Sequence, residues 1–288
     1  MMADSGRVWF ITGAARGLGR AVAEAALAAG ERVAATARDP EAAAAALGAG
    51  RPGLLALPLD VADAEQASAA VRAAEERFGG IDVLVNCAGY GQIGAFEANS
   101  PEDVARQFEV NVFGLMRVIR AALPGMRARR SGRIFNFSSI AGVRGRPGGS
   151  LYAASKFAVG GFSEGLAAEL RPLGIFVTVV EPGYFRTDFL DASSMRFGAA
   201  DIPDYAEVTA AIREGYAQRN HRQPGDPARL AQALLTLADS DDPPVHFAVG
   251  SDAVKIVETK LANWSAELAK WADLSRTGDG DFDDVPPS

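Results

Sequence analysis

Tyr152-Ala153-Ala154-Ser155-Lys156 sets a phenol and an amine four residues apart. On a helix that step puts both side chains on one face, one turn apart. A phenol with a pKa of about 10 is a poor proton donor and acceptor near neutral pH. An adjacent ammonium favours the phenolate and brings the pair towards acid–base chemistry. Alone, such a step is common by chance and reads as structural. Two more polar groups accompany it. Ser139 ends the run Ile134-Phe135-Asn136-Phe137-Ser138-Ser139, where a hydroxyl can donate to a substrate oxygen. Asn111 lies in Val110-Asn111-Val112-Phe113-Gly114, an otherwise apolar stretch in which an amide needs a reason to be present.

A second group of residues lies upstream. Thr12-Gly13-Ala14-Ala15-Arg16-Gly17-Leu18-Gly19 follows an apolar run at 7–11 and opens an Ala-rich helical stretch. Glycines there let the backbone turn tightly and approach a pyrophosphate, whose charge the helix N-terminus stabilises. The position of the cluster, more than its glycines, points to a dinucleotide site. Enzymes that use NAD place an acid at the end of the second strand for the ribose 2′-hydroxyl. Here that strand reads Ala34-Ala35-Thr36-Ala37-Arg38, with no acid before Arg38. A guanidinium suits a 2′-phosphate, and Arg16 is expected to join it. NADP is therefore the expected cofactor, with NAD the alternative. Asp60-Val61 follows the third strand, where a carboxylate can accept from the adenine amino group; the competing role is to cap the next helix. Asn86-Cys87-Ala88-Gly89 follows the fourth strand, at the edge where such sheets bind ligands.

The elements that must position these groups alternate along the chain. Strands are expected at 7–11, 32–36, 54–59, 81–85, 132–138, 175–180 and 245–249. Helices are expected at 17–29, 41–47, 64–78, 150–170 and 226–239, with two more within 101–129. Nearly continuous apolar strands separated by helices indicate a parallel sheet covered on both faces. Right-handed crossovers then give an α/β fold, a single doubly wound Rossmann domain with a mostly parallel seven-stranded sheet. Residues 1–250 form the catalytic and dinucleotide-binding domain. The polar and aromatic stretch 184–225 is read as a mobile insert over the active site. Residues 251–288 add a C-terminal helical extension and acidic tail to the same domain. Val257, Leu261, Trp264, Leu268 and Trp271 form one apolar stripe of that helix, expected to pack on its own subunit.

Taken in order, these motifs resemble the short-chain dehydrogenase/reductase family, over roughly residues 7–250. Thr12 to Gly19 matches the family's T-G-x-x-x-G-x-G, and Asn86 to Gly89 its N-N-A-G, with Cys87 in place of the second asparagine. The resemblance assigns catalysis to Asn111, Ser139, Tyr152 and Lys156. It assigns cofactor contacts to Gly13, Arg16, Gly17, Leu18, Gly19, Arg38, Asp60, Val61, Asn86, Ala88 and Gly89. Tyr152 and Lys156 join them, as do the turn Pro182-Gly183 and Thr187, where a family threonine touches the carboxamide. It implies hydride transfer between a carbonyl and an alcohol, with Tyr152 moving the proton and Ser139 polarising the oxygen. Lys156 would bind the nicotinamide ribose and Asn111 would position a water. The D-G-G ending of many relatives is absent, which turns the resemblance towards the steroid- and retinol-dehydrogenase-like branch. A homodimer through the helices near Phe113 and Phe157 is what the family implies.

Composition narrows the alternatives. One cysteine excludes a disulfide framework and fits a reducing cytoplasm. A formal charge of −7 argues against nucleic acid as a partner. No apolar stretch is long enough to insert in a membrane. Gly161-Phe162-Ser163-Glu164-Gly165 matches a hydrolase nucleophile pattern but falls inside a predicted helix, with neither His221 nor His246 placed to serve it. One cysteine and two isolated histidines make no metal site. A silent NADP-binding sensor or scaffold of the same fold is the remaining alternative; an intact group of four polar residues speaks against it. The substrate is expected to be a small to medium hydrophobic carbonyl or alcohol, held by 90–96, 140–149 and the insert.

Overall fold

A computed structural model describes residues 6–280, so the acidic tail expected at 279–284 falls mostly outside them. Strand β1 (Val8–Thr12) is buried throughout and leads into α1 (Gly17–Ala28). The α1 face that packs down carries Val22, Ala23, Ala26 and Leu27, spaced as a helix requires. Gly30, at φ 82°, stops it. Then come β2 (Arg32–Ala37), α2 (Pro40–Leu47), β3 (Leu54–Pro58) and α3 (Ala64–Phe78). The Asp63 side chain caps α3 by accepting from the amides of Glu65 and Gln66. Asp60 therefore does not cap that helix.

Next are β4 (Val83–Asn86), β5 (Gly91–Ile93), α4 (Pro101–Phe108), a π-helical turn (Glu109–Gly114) and α5 (Leu115–Arg129). The two helices expected within 101–129 are thus one helical run with a wide turn in its middle. After them come β6 (Gly132–Phe137), α6 (Ser150–Leu170), β7 (Ile175–Pro182), β8 (Met195–Phe197), α7 (Ala206–Arg219), α8 (Pro227–Asp239), β9 (His246–Val249) and α9 (Ser251–Arg276).

The main sheet has seven strands in the order β3-β2-β1-β4-β6-β7-β9, all pairs parallel. It is Rossmann-like, with helices on both faces. Alternation along β1 divides the core: Phe10 packs with the side holding α3, α5 and α6, Trp9 with the side holding α1 and α8. Burial on both sides explains why these strands read as unbroken apolar runs. Register aligns Thr12 with Asn86 and Asn86 with Asn136, so the carboxyl ends of β1, β4 and β6 form one edge.

Two expectations need correcting. The stretch 184–225 is more regular than its composition suggests: β8 pairs with β5 in a small parallel sheet, and α7 runs for 14 residues. No α7 residue is buried, so it has no apolar stripe to betray it. The stripe on α9 does not pack on its own subunit; Leu261, Trp264, Leu268 and Trp271 are all more than half exposed. Apolar periodicity reports that a helix face wants cover, and says nothing of which chain supplies it.

Candidate active site

The glycine loop after β1 is built for close approach. Gly13 and Gly17 have φ of 70° and 59°, in the left-handed region. A Cβ on Gly19 would stand 2.5 Å from the Gly13 carbonyl oxygen, so the helix can pack onto the loop only with glycine there. No side chain caps the start of α1, which leaves its first amides to an external anion. Thr12 ties the loop to the next strand: its Oγ accepts from the amides of Cys87 and Ala88 at 3.0 and 3.1 Å. Because those contacts are to backbone, a cysteine can replace the expected asparagine without loosening the turn.

A cleft of about 770 Å³ runs from this loop across the carboxyl edge of the sheet. Gly13, Arg16, Gly17, Leu18, Gly19, Arg38, Asp60, Val61, Ala88, Gly89, Pro182, Gly183 and Thr187 line it, as expected of a dinucleotide groove. Asp60 accepts from the Ala62 amide at 3.0 Å through one oxygen. Arg38 is exposed, and the acid beside it, Asp39, is turned to α2, accepting from the amides of Glu41 and Ala42. Two expected residues are also engaged by other parts of the chain. Arg16 reaches across the cleft to the insert, donating to the Ser193 hydroxyl and carbonyl at 2.6 and 3.0 Å. Asn86 lies behind the cleft: its amide donates to Asn136, which donates to Ser163, both at 2.9 Å. That buried chain engages the Asn86 amide nitrogen, and it also fixes Ser163 as a fully buried core residue rather than a nucleophile.

At the other end of the cleft, Tyr152 and Lys156 project from α6, with the Lys156 Nζ 5.8 Å from the phenol ring centre. Lys156 is almost fully buried and donates to the Phe137 carbonyl at 2.8 Å. Burial lowers its ammonium to about 8, so it stays charged at pH 7. Burial raises the Tyr152 phenol, and a hydrogen bond with Ser139 pulls the other way. Ser139 caps the turn after β6 by accepting from the Ala141 amide at 3.1 Å. Asn111 sits in the π turn. Its Oδ1 accepts from the Tyr90 amide at 3.1 Å, and its amide donates to the Tyr90 carbonyl at 2.9 Å. The structure thus brings Ser139, Tyr152 and Lys156 together and sets Asn111 beside them, its Oδ1 3.2 Å from where a Gly89 Cβ would stand. A neutral phenol, a hydroxyl and a fixed cation at one point can protonate a developing alkoxide.

Other groups were not foreseen. Phe189 stands over Tyr152 with ring centres 5.9 Å apart. Tyr216, Gln223 and Ile256 complete the wall. Asp252, at the start of α9, accepts from the Tyr184 amide at 2.8 Å and so pins the Pro182–Gly183 turn. Its only signal was an acid just past the last strand. Asp188, Asp191 and His221 converge on the rim to within 4.8 Å, a cluster that wide sequence separation hid. It is a polar clasp, with the Asn220 amide donating to Asp191 at 2.6 Å.

A parallel sheet with a glycine loop at its carboxyl edge and a buried Tyr–Lys pair in the same cleft defines a dinucleotide-dependent oxidoreductase architecture. Residues 7–196 match the family described as short chain dehydrogenase. An oxidoreductase, BOA17, of Botryotinia fuckeliana is 40% identical over 270 residues, covering 93% of this chain and 98% of its own. A short-chain dehydrogenase structure from Streptomyces avermitilis superposes with a TM-score of 0.88 at 42% identity, covering 96% of this chain and all of its own. The chain belongs to the short-chain dehydrogenase family, whose members are oxidoreductases that bind a nicotinamide cofactor. Two more distant structures, both at a TM-score of 0.70, differ in cofactor. ElxO, 26% identical over 84% of this chain and 95% of its own, is described with NADP bound. The 3-ketoacyl-(acyl-carrier-protein) reductase of Brucella melitensis, 27% identical over 85% and 96%, is described as complexed with NADH.

Proposed function

We propose that this protein is an NADP(H)-dependent oxidoreductase that interconverts a ketone or aldehyde with an alcohol. One observation carries the reading: the glycine loop, Arg38 and the buried Tyr152–Lys156 pair line a single cleft. The nicotinamide, when bound, supplies or accepts the hydride. Tyr152 gives its proton to the carbonyl oxygen, and its raised pKa keeps it neutral until then. Ser139 donates to the same oxygen. The Lys156 ammonium stabilises the phenolate left behind and contacts the nicotinamide ribose. The Asn111 side chain is taken up by Tyr90, so a relay water at this point is held by the backbone of the π turn, where regular helical bonding is interrupted.

Preference for NADP rests on Arg38, which has no ion-pair partner among the described residues, and on Asp39 being engaged by α2. Phe189, Leu190 and Met195 favour a small to medium hydrophobic substrate. Residues 1–250 act as one catalytic domain with the insert as its roof and the C-terminal extension as part of it. The half-exposed Phe113 and Phe157 fit a homodimer contact, and the single cysteine fits the cytoplasm.

The test is loss of reduced-nicotinamide absorbance with NADPH or NADH across a panel of ketones and aldehydes. Turnover should favour NADPH and fall by about 10²–10⁴-fold in Tyr152→Phe. A preference for NADH would overturn the Arg38 assignment alone. Binding of NADPH without turnover of any carbonyl would favour a silent sensor.

A further inference from the structure

Helix α9 runs from Ser251 to Arg276 and buries one residue, Ala253. From Leu261 onward it stands clear of the body, with Leu261, Trp264 and Leu268 each above 60% exposed. Helices in proteins draw most of their stability from a packed apolar face, and a row of exposed leucine and tryptophan marks a surface that is covered in use. The apolar positions 257, 261, 264, 268 and 271 step alternately by four and three. That is the narrow heptad seam of helix pairing, not the broader stripe of a helix laid on a globular body.

We propose that α9 pairs antiparallel with α9 of a second copy of this chain. Setting Leu261 against the partner's Trp264 also sets Val257 against the partner's Leu268, and Val254 against the partner's Trp271. Each layer then combines a large side chain with a smaller one or two aliphatic ones. The same register places Lys260 opposite the partner's Glu267, and two-fold symmetry makes that pair twice. A parallel arrangement would stack tryptophan on tryptophan and leave Lys260 facing the partner's Ser265, with no charge pair. Charge therefore selects the antiparallel register. A lipid surface is the poorer occupant, because Lys260 and Lys270 alternate with Glu267 and Asp273 and leave no cationic excess. This seam is separate from Phe113 and Phe157, which lie on the π turn and α6.

Light scattering on a sizing column tests it with the full chain. Trp264→Glu with Leu268→Glu should halve the mass relative to the unsubstituted protein while leaving a cooperative thermal transition. Lys260→Glu should weaken association several-fold, and adding Glu267→Lys should restore it, since the pair is rebuilt with signs exchanged. A Lys260→Cys/Glu267→Cys variant should oxidise to a covalent dimer that neither single variant forms. Unchanged mass in the Trp264/Leu268 variant overturns the proposal. So does flotation of the unsubstituted protein with phosphatidylcholine–phosphatidylserine vesicles that the same substitutions abolish without changing its mass.

Discussion

The two ends of the cleft are made differently. At the glycine loop, backbone does the work: positive-φ glycines, uncapped amides and a threonine bonded to two amides. Over the substrate end, side chains do it. Arg146 donates to the Tyr184 hydroxyl at 2.7 Å, Arg219 lies 4.3 Å from the centre of the same ring, and Arg196 lies 5.5 Å from that of Tyr90. Backbone recognition demands particular residues at fixed spacing, whereas stacked cations and rings can be exchanged for other pairs. One end therefore constrains its residues tightly, and the other is freer to vary.

The sharpest challenge to that contrast falls where the ends meet. Lys156→Met should lower kcat by about 10²–10⁴-fold, measured by NADPH oxidation with any accepted carbonyl. Its folded pKa of about 8 lies below the ordinary lysine value, so burying the charge costs stability at pH 7. That cost disappears as pH rises from about 8 to about 10.5, where both folded and unfolded lysines are neutral. Lys156→Met should therefore melt higher than the parent at pH 7, by on the order of 1 kcal/mol, with the gap closing by pH 10. A gap that does not shrink would mean the lysine is not held in its buried, proton-shedding state.

Gly19→Ala should cost about 1–3 kcal/mol by denaturant titration and weaken dinucleotide binding, because a Cβ would press on the Gly13 carbonyl. Arg38→Ala should raise the Kd for NADPH by about 10–100-fold and leave that for NADH nearly unchanged, since one charge-assisted contact is lost. Calorimetry with both dinucleotides separates the two. The smallest effect belongs to the substrate end. Arg219→Ala should change KM for the carbonyl by less than about fivefold, the worth of one exposed cation–ring contact. A change of a hundredfold there would break the contrast, by making the roof as exacting as the loop.

Legibility in the sequence follows the same line. Helices α3 and α6 were readable to their ends, because Asp63 and Gly79 bracket one, and Gly149 and Pro172 flank the other despite the glycines at 160, 161 and 165 within it. The Tyr152–Lys156 step and Ser139 were readable because each needs a fixed place on an element that hydrophobic pattern defines. The π turn was not, since no local pattern separates a wide turn from an irregular stretch of helix and Asn111 within it is held by Tyr90, 21 residues away. Arg16 reaching Ser193 spans 177 residues, and no local signal foretells it. Asn86 matched a motif, and its amide donates to Asn136, 50 residues away, a bond that no local signal foretells.

The π turn also constrains how the chain can change length. Removing one residue from 109–114 would return the run to ordinary winding and leave the side chains of α5 on the faces they already occupy, because the wide turn lags a regular helix by about one residue's 100°. Val118, Ile119 and Ala122 would then keep their places in the core, and the loss would fall on Asn111, whose bonds to Tyr90 are made from within the wide turn. The wide turn absorbs one residue between two helices that must each face a different neighbour. A one-residue deletion here is thus cheap for the fold and costly for the site, whereas the same deletion in the middle of α5 would turn its far end by about 100°.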